Sequence, residues 1–205
     1  MKLVVVSAGL SVPSATRLLA DRLAEATAGR LPGLEVQVVE LRDLAVEIAN
    51  NFVTGFPAAK LRAAIDAVTE ADALIAVTPI FTASYSGLFK SFFDVIDDTA
   101  LVGKPVLIAA TGGTARHSLA LEHALRPMFA YLRAVVVPTA VYAASEDWGN
   151  SDGLASRIDR AAGELAAQLE GRPAAKPAEE FVAFEQLLNG QNGNRRHLRA
   201  DNVTG

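Results

Sequence analysis

Four hydroxyl side chains, Ser7, Ser11, Ser14 and Thr16, fall within ten residues of one another near the start of the chain. Each can donate to a phosphate oxygen at a lower desolvation cost than a buried charge. The stretch follows the apolar run Leu3, Val4, Val5, Val6 and leads into residues 17–23, which have helical spacing. It therefore joins a strand end to a helix start. At such a junction the first backbone N–H groups have no helical partner, and the aligned peptide dipoles place partial positive charge there. An anion suits that place. Ser14 is also explained as an N-cap, with Pro13 marking the entry. Capping accounts for one hydroxyl and not for four.

Two later loops carry the remaining candidates. Residues 78–87 (Thr-Pro-Ile-Phe-Thr-Ala-Ser-Tyr-Ser-Gly) place aromatic side chains among backbone amides, as a flat ring system requires. Residues 111–117 (Thr-Gly-Gly-Thr-Ala-Arg-His) contain a Gly112-Gly113 turn that lets a ligand approach the backbone closely. Hydroxyls, ring edge and close approach together describe a mononucleotide site.

The elements that must position these loops follow from periodicity. The first strand and helix end at Gly29, before Pro32 and Gly33, and residues 34–40 alternate as a strand near a sheet edge. Residues 41–57 read as an excursion across the strand ends, with Asn50-Asn51 and Gly55-Phe56-Pro57 as turn signals. There Phe52 and Phe56 cover a ligand, enter a subunit interface or pack under the loop. A helix over residues 58–70 precedes a strand over 73–78 that ends at Pro79, and a helix from Ser86 or Gly87 to Asp98 carries Phe89, Phe92 and Phe93. A strand over 106–111 is followed by a long helix over 117–132 and a fifth strand over 135–142. Pro138 assigns that strand to an edge. The last helix spans about residues 152–169, after a Ser151 cap. Five alternations of strand and helix predict a parallel sheet covered on both faces, with all three loops at its carboxyl edge.

With 205 residues, 51% of them hydrophobic, the chain can bury a core as one domain, read as residues 1–170. Residues 171–205 read as a proline and alanine linker, a short helix with Phe181, Phe184 and Leu188, and a polar end. Such a helix needs a surface, on a partner subunit or on its own domain. The balance of 19 basic against 23 acidic residues, net charge −4, offers no general attraction for nucleic acid or an anionic membrane. The cluster Arg195, Arg196, His197, Arg199 reads as a solvated tail. The absence of cysteine excludes disulfides, thiolate metal sites and a cysteine nucleophile. No apolar run is long enough to span a bilayer and no secretory leader pattern opens the chain, so a cytoplasmic protein is expected.

Other α/β patterns fail on particular residues. The first loop has only Gly9 where a Rossmann fingerprint needs three glycines, although Glu40 stands where a ribose-binding acid would. Gly-Lys-Ser/Thr and Gly-x-Ser-x-Gly are absent, and Ser7 replaces the acidic residue of a receiver domain. A triad of His117, Asp94 and a serine has no support in the spacing.

The ordered set Ser11-Val12-Pro13-Ser14-Ala15-Thr16, Thr78-Pro79-Ile80-Phe81 through Ser86-Gly87-Leu88-Phe89-Lys90 to Asp94, and Ala110-Thr111-Gly112-Gly113 resembles the NAD(P)H-dependent FMN reductases of the flavodoxin-like fold. The likeness covers roughly residues 1–170 and is greatest to the branch that supplies reduced FMN to luciferase-like two-component monooxygenases. It implies a three-layer sandwich with a five-stranded parallel sheet of order 2-1-3-4-5, helices on both faces, FMN bound noncovalently, NADPH or NADH as donor, and a homodimer or homotetramer. Carried over by position, Ser11, Ser14, Ala15 and Thr16, with Ser7 beside them, hold the FMN phosphate. Pro79, Ile80, Phe81 and Thr82 line the isoalloxazine edge, and Thr111, Gly112 and Gly113 lie at its pyrimidine side. Arg116 and His117 are candidates for contact with the flavin or nucleotide. Many relatives have Pro-Glu-Tyr-Asn where this chain has Pro79-Ile80-Phe81-Thr82, and Ser86 replaces a frequent proline. Contacts here therefore fall to the backbone. No catalytic acid–base pair is implied, because hydride transfer is carried by FMN. Two further readings share the fold: an enzyme that keeps FMN to reduce quinones or azo dyes, and a noncatalytic electron carrier.

Overall fold

The computed structural model describes residues 1–149 and 151–171. The chain divides into two units, Met1–Arg172 and Pro173–Gly205. The predicted linker, the short aromatic helix and the basic cluster lie outside the described residues.

In chain order the elements are β1 (Lys2–Ser7), α1 (Ala15–Ala28), β2 (Glu35–Glu40), α2 (Ala45–Thr54), α3 (Ala59–Glu70), β3 (Ala73–Phe81), β4 (Ser84–Tyr85), α4 (Gly87–Asp94), β5 (Pro105–Gly112), α5 (Arg126–Tyr131), β6 (Val135–Val136), β7 (Val141–Ala144) and α6 (Ser151–Glu170). The parallel path runs β2-β1-β3-β5-β6, with β7 also on β5 and β4 antiparallel to β3. This is the flavodoxin-like order. The sheet has seven strands rather than five because β4 is added and the predicted fifth strand is cut in two.

Side-chain alternation explains why the sheet is covered twice. Leu3, Val5, Ile75, Val77, Leu107 and Ala109 pack with α1 and α6, while Val4, Val6, Leu74, Ala76 and Ile108 pack with α3, α4 and α5. These strand side chains are fully buried, each leucine or valine contributing ~1.5–3 kcal/mol. A continuous apolar run is what a strand buried on both faces needs.

Four predicted elements differ in kind or extent for an identifiable reason, and two more differ only at a helix boundary. Of residues 41–57, those from 41 to 54 are helical: a 3₁₀ turn, Leu41–Leu44, leads into α2, which stops at Gly55 with φ 74°. Asn50 and Asn51 lie inside α2, and Phe52 and Phe56 are exposed rather than packed under a loop. β3 runs past Pro79 to Phe81, because Pro79 closes the ladder opposite Thr111 and the chain then folds back into β4. The predicted helix over 117–132 is a 3₁₀ turn, Ala115–His117, then a π turn, Leu121–Leu125, then α5. Arg126 N–H reaches Leu121 O, and the following residue, Pro127, has no N–H to continue an α ladder.

The fifth strand breaks at Pro138. Its free backbone groups are taken up by side chains. Arg126 donates to Val137 O at 3.1 Å and Pro138 O at 3.0 Å, and Thr139 N–H donates to Glu164 at 2.7 Å. α6 begins at Ser151 itself, and α4 ends at Asp94, earlier than predicted.

Candidate functional site

The first loop leaves β1 at Ser7 and enters α1 at Ala15. Ser14 is the N-cap, its Oγ accepting from Arg17 N–H at 3.2 Å. Capping and the helix start thus leave the N–H groups of Ala15 and Thr16 without helical acceptors. Gly9 is required here, since a Cβ on it would stand 2.1 Å from Ser14 Oγ. Ser11 and Ala15 are exposed, and the loop contains a cis Val12–Pro13 bond. Ser7 is fully buried on the α1 face of the sheet, and its Oγ has no hydrogen-bond partner among the described residues. A buried hydroxyl left unpaired costs ~1–3 kcal/mol, which a bound acceptor would relieve.

A cleft of about 320 Å³ on the outer side of this loop is lined by Ser11, Ser14, Arg17, Glu40 and Arg42, among others. Arg17 is committed: it donates to Asp21 at 2.7 Å and pairs with Glu40. The Asp21 hydrogen bond, with Glu40 adding to it, holds the Arg17 guanidinium above its ordinary pKa. Glu40 is therefore an ion-pair partner and not a free ribose acceptor. Arg42, from the turn after β2, donates to Ser11 O at 3.3 Å and to Asp43 at 3.3 Å, with most of its five donors unspent. Sequence reading missed it, because the contact spans a sequence separation of 31 and residues 41–57 carried no recognisable period.

The second loop is a hairpin. Phe81 pairs with Ser84 and Ile80 with Tyr85, and the two turn residues, Thr82 and Ala83, have φ of 50° and 66°. Positive φ at both positions is the mark of the type I′ turn, which matches strand twist and here strains two residues with side chains. The base is fastened by Thr78 Oγ1, which accepts from Ser86 N–H at 3.0 Å, and Ser86 Oγ caps α4 by accepting from Phe89 N–H at 3.2 Å. Beneath it Phe89 and Phe93 (ring centroids 4.9 Å apart) and Phe93 and Phe129 (5.0 Å) form an aromatic anchor. Phe81 and Thr82 remain exposed, and Pro79 and Ile80 are half-buried.

The third loop continues β5. Thr111 Oγ1 and Thr16 Oγ1 are 2.8 Å apart, a buried hydrogen bond between the third and first loops. Gly112 is packed against Tyr142, whose hydroxyl donates to Thr114 O at 2.9 Å. Gly113 faces open space. Arg116 and His117 are exposed on the 3₁₀ turn and make no hydrogen bond or ion pair among the described residues. Asp94 is paired with Lys90, so no triad with His117 forms.

Register brings the three loops together. Ser7 lies opposite Val77, and Pro79 lies opposite Thr111. Ser7, Thr16, Pro79 and Thr111 converge at the carboxyl edge, with Ser11, Ser14, Ala15, Ile80, Phe81, Thr82, Gly112 and Gly113 beside them on the loops. The edge offers hydroxyls and free amides for a dianion beside an exposed aromatic hairpin and an open glycine turn for a flat ring.

Comparison with known proteins bears on this arrangement. The family model described as NADPH-dependent FMN reductase matches residues 1–149. An FMN reductase (NADPH) of Pseudomonas aeruginosa is 41% identical over 174 residues, covering 83% of this chain and 92% of the relative. The NADH-dependent FMN reductase SfnF of Pseudomonas fluorescens is 41% identical over 175 residues, with the same coverages of 83% and 92%. Among solved structures, an oxidoreductase from Corynebacterium diphtheriae superposes with a TM-score of 0.81 at 47% identity, covering 84% of this chain and 98% of that one.

Proposed function

The chain belongs to the NADPH-dependent FMN reductase family, and we propose that it passes hydride from NADPH or NADH to FMN held at the carboxyl edge of its sheet, then yields the reduced flavin to a partner monooxygenase. The observation that carries the site assignment is the buried, unpartnered Ser7 hydroxyl on the α1 face, where α1 also leaves two N–H groups without acceptors. The donor set fits a phosphate dianion. Ser7, Ser11, Ser14 and Thr16, with the N–H groups of Ala15 and Thr16, receive it, and Arg42, whose Nε is paired with Asp43 while most of its other donors are unspent, supplies a cation beside Ser11 and Ser14. The backbone of Pro79, Ile80, Phe81 and Thr82 lines the ring edge, and Thr111, Gly112 and Gly113 take the pyrimidine side. Arg116 and His117, exposed and unengaged, contact the flavin or the nicotinamide nucleotide.

When bound, FMN supplies the hydride-accepting centre that no side chain provides. The chain's own contribution is orientation and charge. The strained hairpin over the aromatic anchor would hold the ring edge, and N–H groups of the glycine turn would stabilise the negative charge that a flavin gains on reduction. Release to a partner is supported by the exposure of Ser11, Ala15, Phe81, Thr82 and Gly113, which leaves the site open on one side. A homodimer or homotetramer is supported by Val46, Phe52, Val53 and Phe56, which are 69%, 55%, 87% and 82% exposed on and after α2. Among the described residues no helix is long and apolar enough to cross a membrane, and a cytoplasmic setting is part of the proposal.

The test is a steady-state assay of purified protein with NADPH or NADH and added FMN. Catalytic oxidation that saturates in FMN is expected, with free reduced flavin usable by a monooxygenase across a dialysis membrane. Protein that neither binds FMN nor oxidises either nucleotide would refute the assignment. Flavin that survives gel filtration and never crosses the membrane would favour the quinone or azo reductase reading.

A further inference from the structure

We propose that Tyr142 is the positioning residue of the third loop: its hydroxyl fills the space of the missing side chain at Gly112 and pins Thr114, and so directs Arg116 and His117 toward the flavin. The inference rests on reading this edge as a flavin site. The two adjacent glycines have different surroundings. A Cβ on Gly112 would stand 2.0 Å from the Tyr142 hydroxyl and 3.1 Å from its ring carbon Cζ, whereas a Cβ on Gly113 would meet nothing within 4 Å. Gly112 is glycine because Tyr142 is there. Gly113 marks the open side from which a ligand approaches.

Tyr142 is 7% exposed, and its ring crosses from β7 over the last residue of β5, where Gly112 registers with Ala144. The hydroxyl donates to Thr114 O at 2.9 Å. Thr114 is the residue before the 3₁₀ turn Ala115–His117, which has no side-chain cap, so this bond anchors the turn's start. The anchor is itself held. Arg157 donates to Tyr142 O at 3.2 Å and to Asp147 at 2.7 Å, and Asp147 accepts from Ala144 N–H at 2.8 Å. A loop residue supported this way keeps its geometry without touching the ligand.

The experiment compares wild type with Tyr142→Phe, Gly112→Ala and the double variant, titrating each with FMN and with riboflavin by fluorescence and recording its thermal melt. Tyr142→Phe removes the hydroxyl and keeps the ring. It is expected to weaken both flavins equally, by roughly 3- to 10-fold, because it acts at the ring and not at the phosphate. Gly112→Ala alone is expected to weaken flavin binding further and to lower the melting temperature. The double variant is expected to recover part of both losses, since the 2.0 Å clash is gone. Unchanged affinities in Tyr142→Phe, or a double variant no better than Gly112→Ala, overturn the role of Tyr142. Failure of the flavin reading looks different: wild type itself would bind neither flavin.

Discussion

The two edges of the sheet differ in how completely their polar groups are paired. At the amino edge they are paired. Lys104 is 5% exposed, and its Nζ donates to Val68 O, Thr69 O and Ala71 O at 2.8, 2.6 and 2.7 Å, closing the carbonyl end of α3. Lys2 N–H donates to Asp72 at 2.7 Å, and Asp72 N–H returns a bond to Lys2 O at 2.9 Å. At the carboxyl edge, among the described residues, Ser7 Oγ is buried without a partner and Arg116 and His117 are unengaged, while Thr82 and Ala83 hold left-handed backbone. The amino edge is finished as a fold. The carboxyl edge carries polar capacity that a ligand would use.

That contrast predicts which substitutions separate binding from stability. The largest effect is expected from Ser14→Ala combined with Thr16→Ala, which should weaken FMN binding by at least ~100-fold through lost donors to a charged group. Its melting temperature should fall far less in proportion. Equal FMN affinity in the double variant would return this loop to a helix cap. Next comes Lys104→Met, which leaves three carbonyls uncapped and should destabilise by about 2–3 kcal/mol in chemical denaturation, with the KM for FMN unchanged. A raised KM there would break the division between edges. Arg42→Ala should then weaken FMN by roughly 10-fold through one charge-assisted contact while leaving riboflavin affinity as it was. Equal losses for both flavins would make Arg42 a loop support only.

The smallest effects come from the left-handed residues, which occur at both edges and so sharpen the comparison. Arg133, φ 57°, follows the end of α5 at the amino edge, a position glycine ordinarily takes. Arg133→Gly and Ala83→Gly should each stabilise by about 0.5–1 kcal/mol. Only Ala83→Gly should also slow turnover, by loosening the hairpin under the ring. Identical turnover in the two variants would show that strain at the hairpin has no role in the reaction.

Much of the frame is legible in the residues alone. Leu3 through Val6, Ala73 through Val77 and Val106 through Ala110 are continuous apolar runs, and such runs bounded by turns report buried parallel strands directly. The three loops follow from their ends. What sequence reading misses depends on partners distant along the chain. α2 was hidden because Ile48 is its one buried residue, so little apolar period exists to read, and Asn50-Asn51 imitates a turn. The break in the fifth strand needs Arg126 and Glu164 to take up backbone groups, and neither is a neighbour in sequence. Pro127 explains the π turn but does not announce it. Arg42 and Tyr142 reach Ser11 and Thr114 across sequence separations of 31 and 28, and no local pattern encodes those meetings.

The most direct test of the account is a pair of titrations on the wild-type protein, one with FMN and one with riboflavin, followed by flavin fluorescence. The two ligands share the ring and the ribityl chain and differ in the phosphate. If Ser7, Ser11, Ser14, Thr16 and the start of α1 hold that phosphate, FMN binds at least ~100-fold tighter than riboflavin. Equal affinities would contradict the claim that this loop is an anion site.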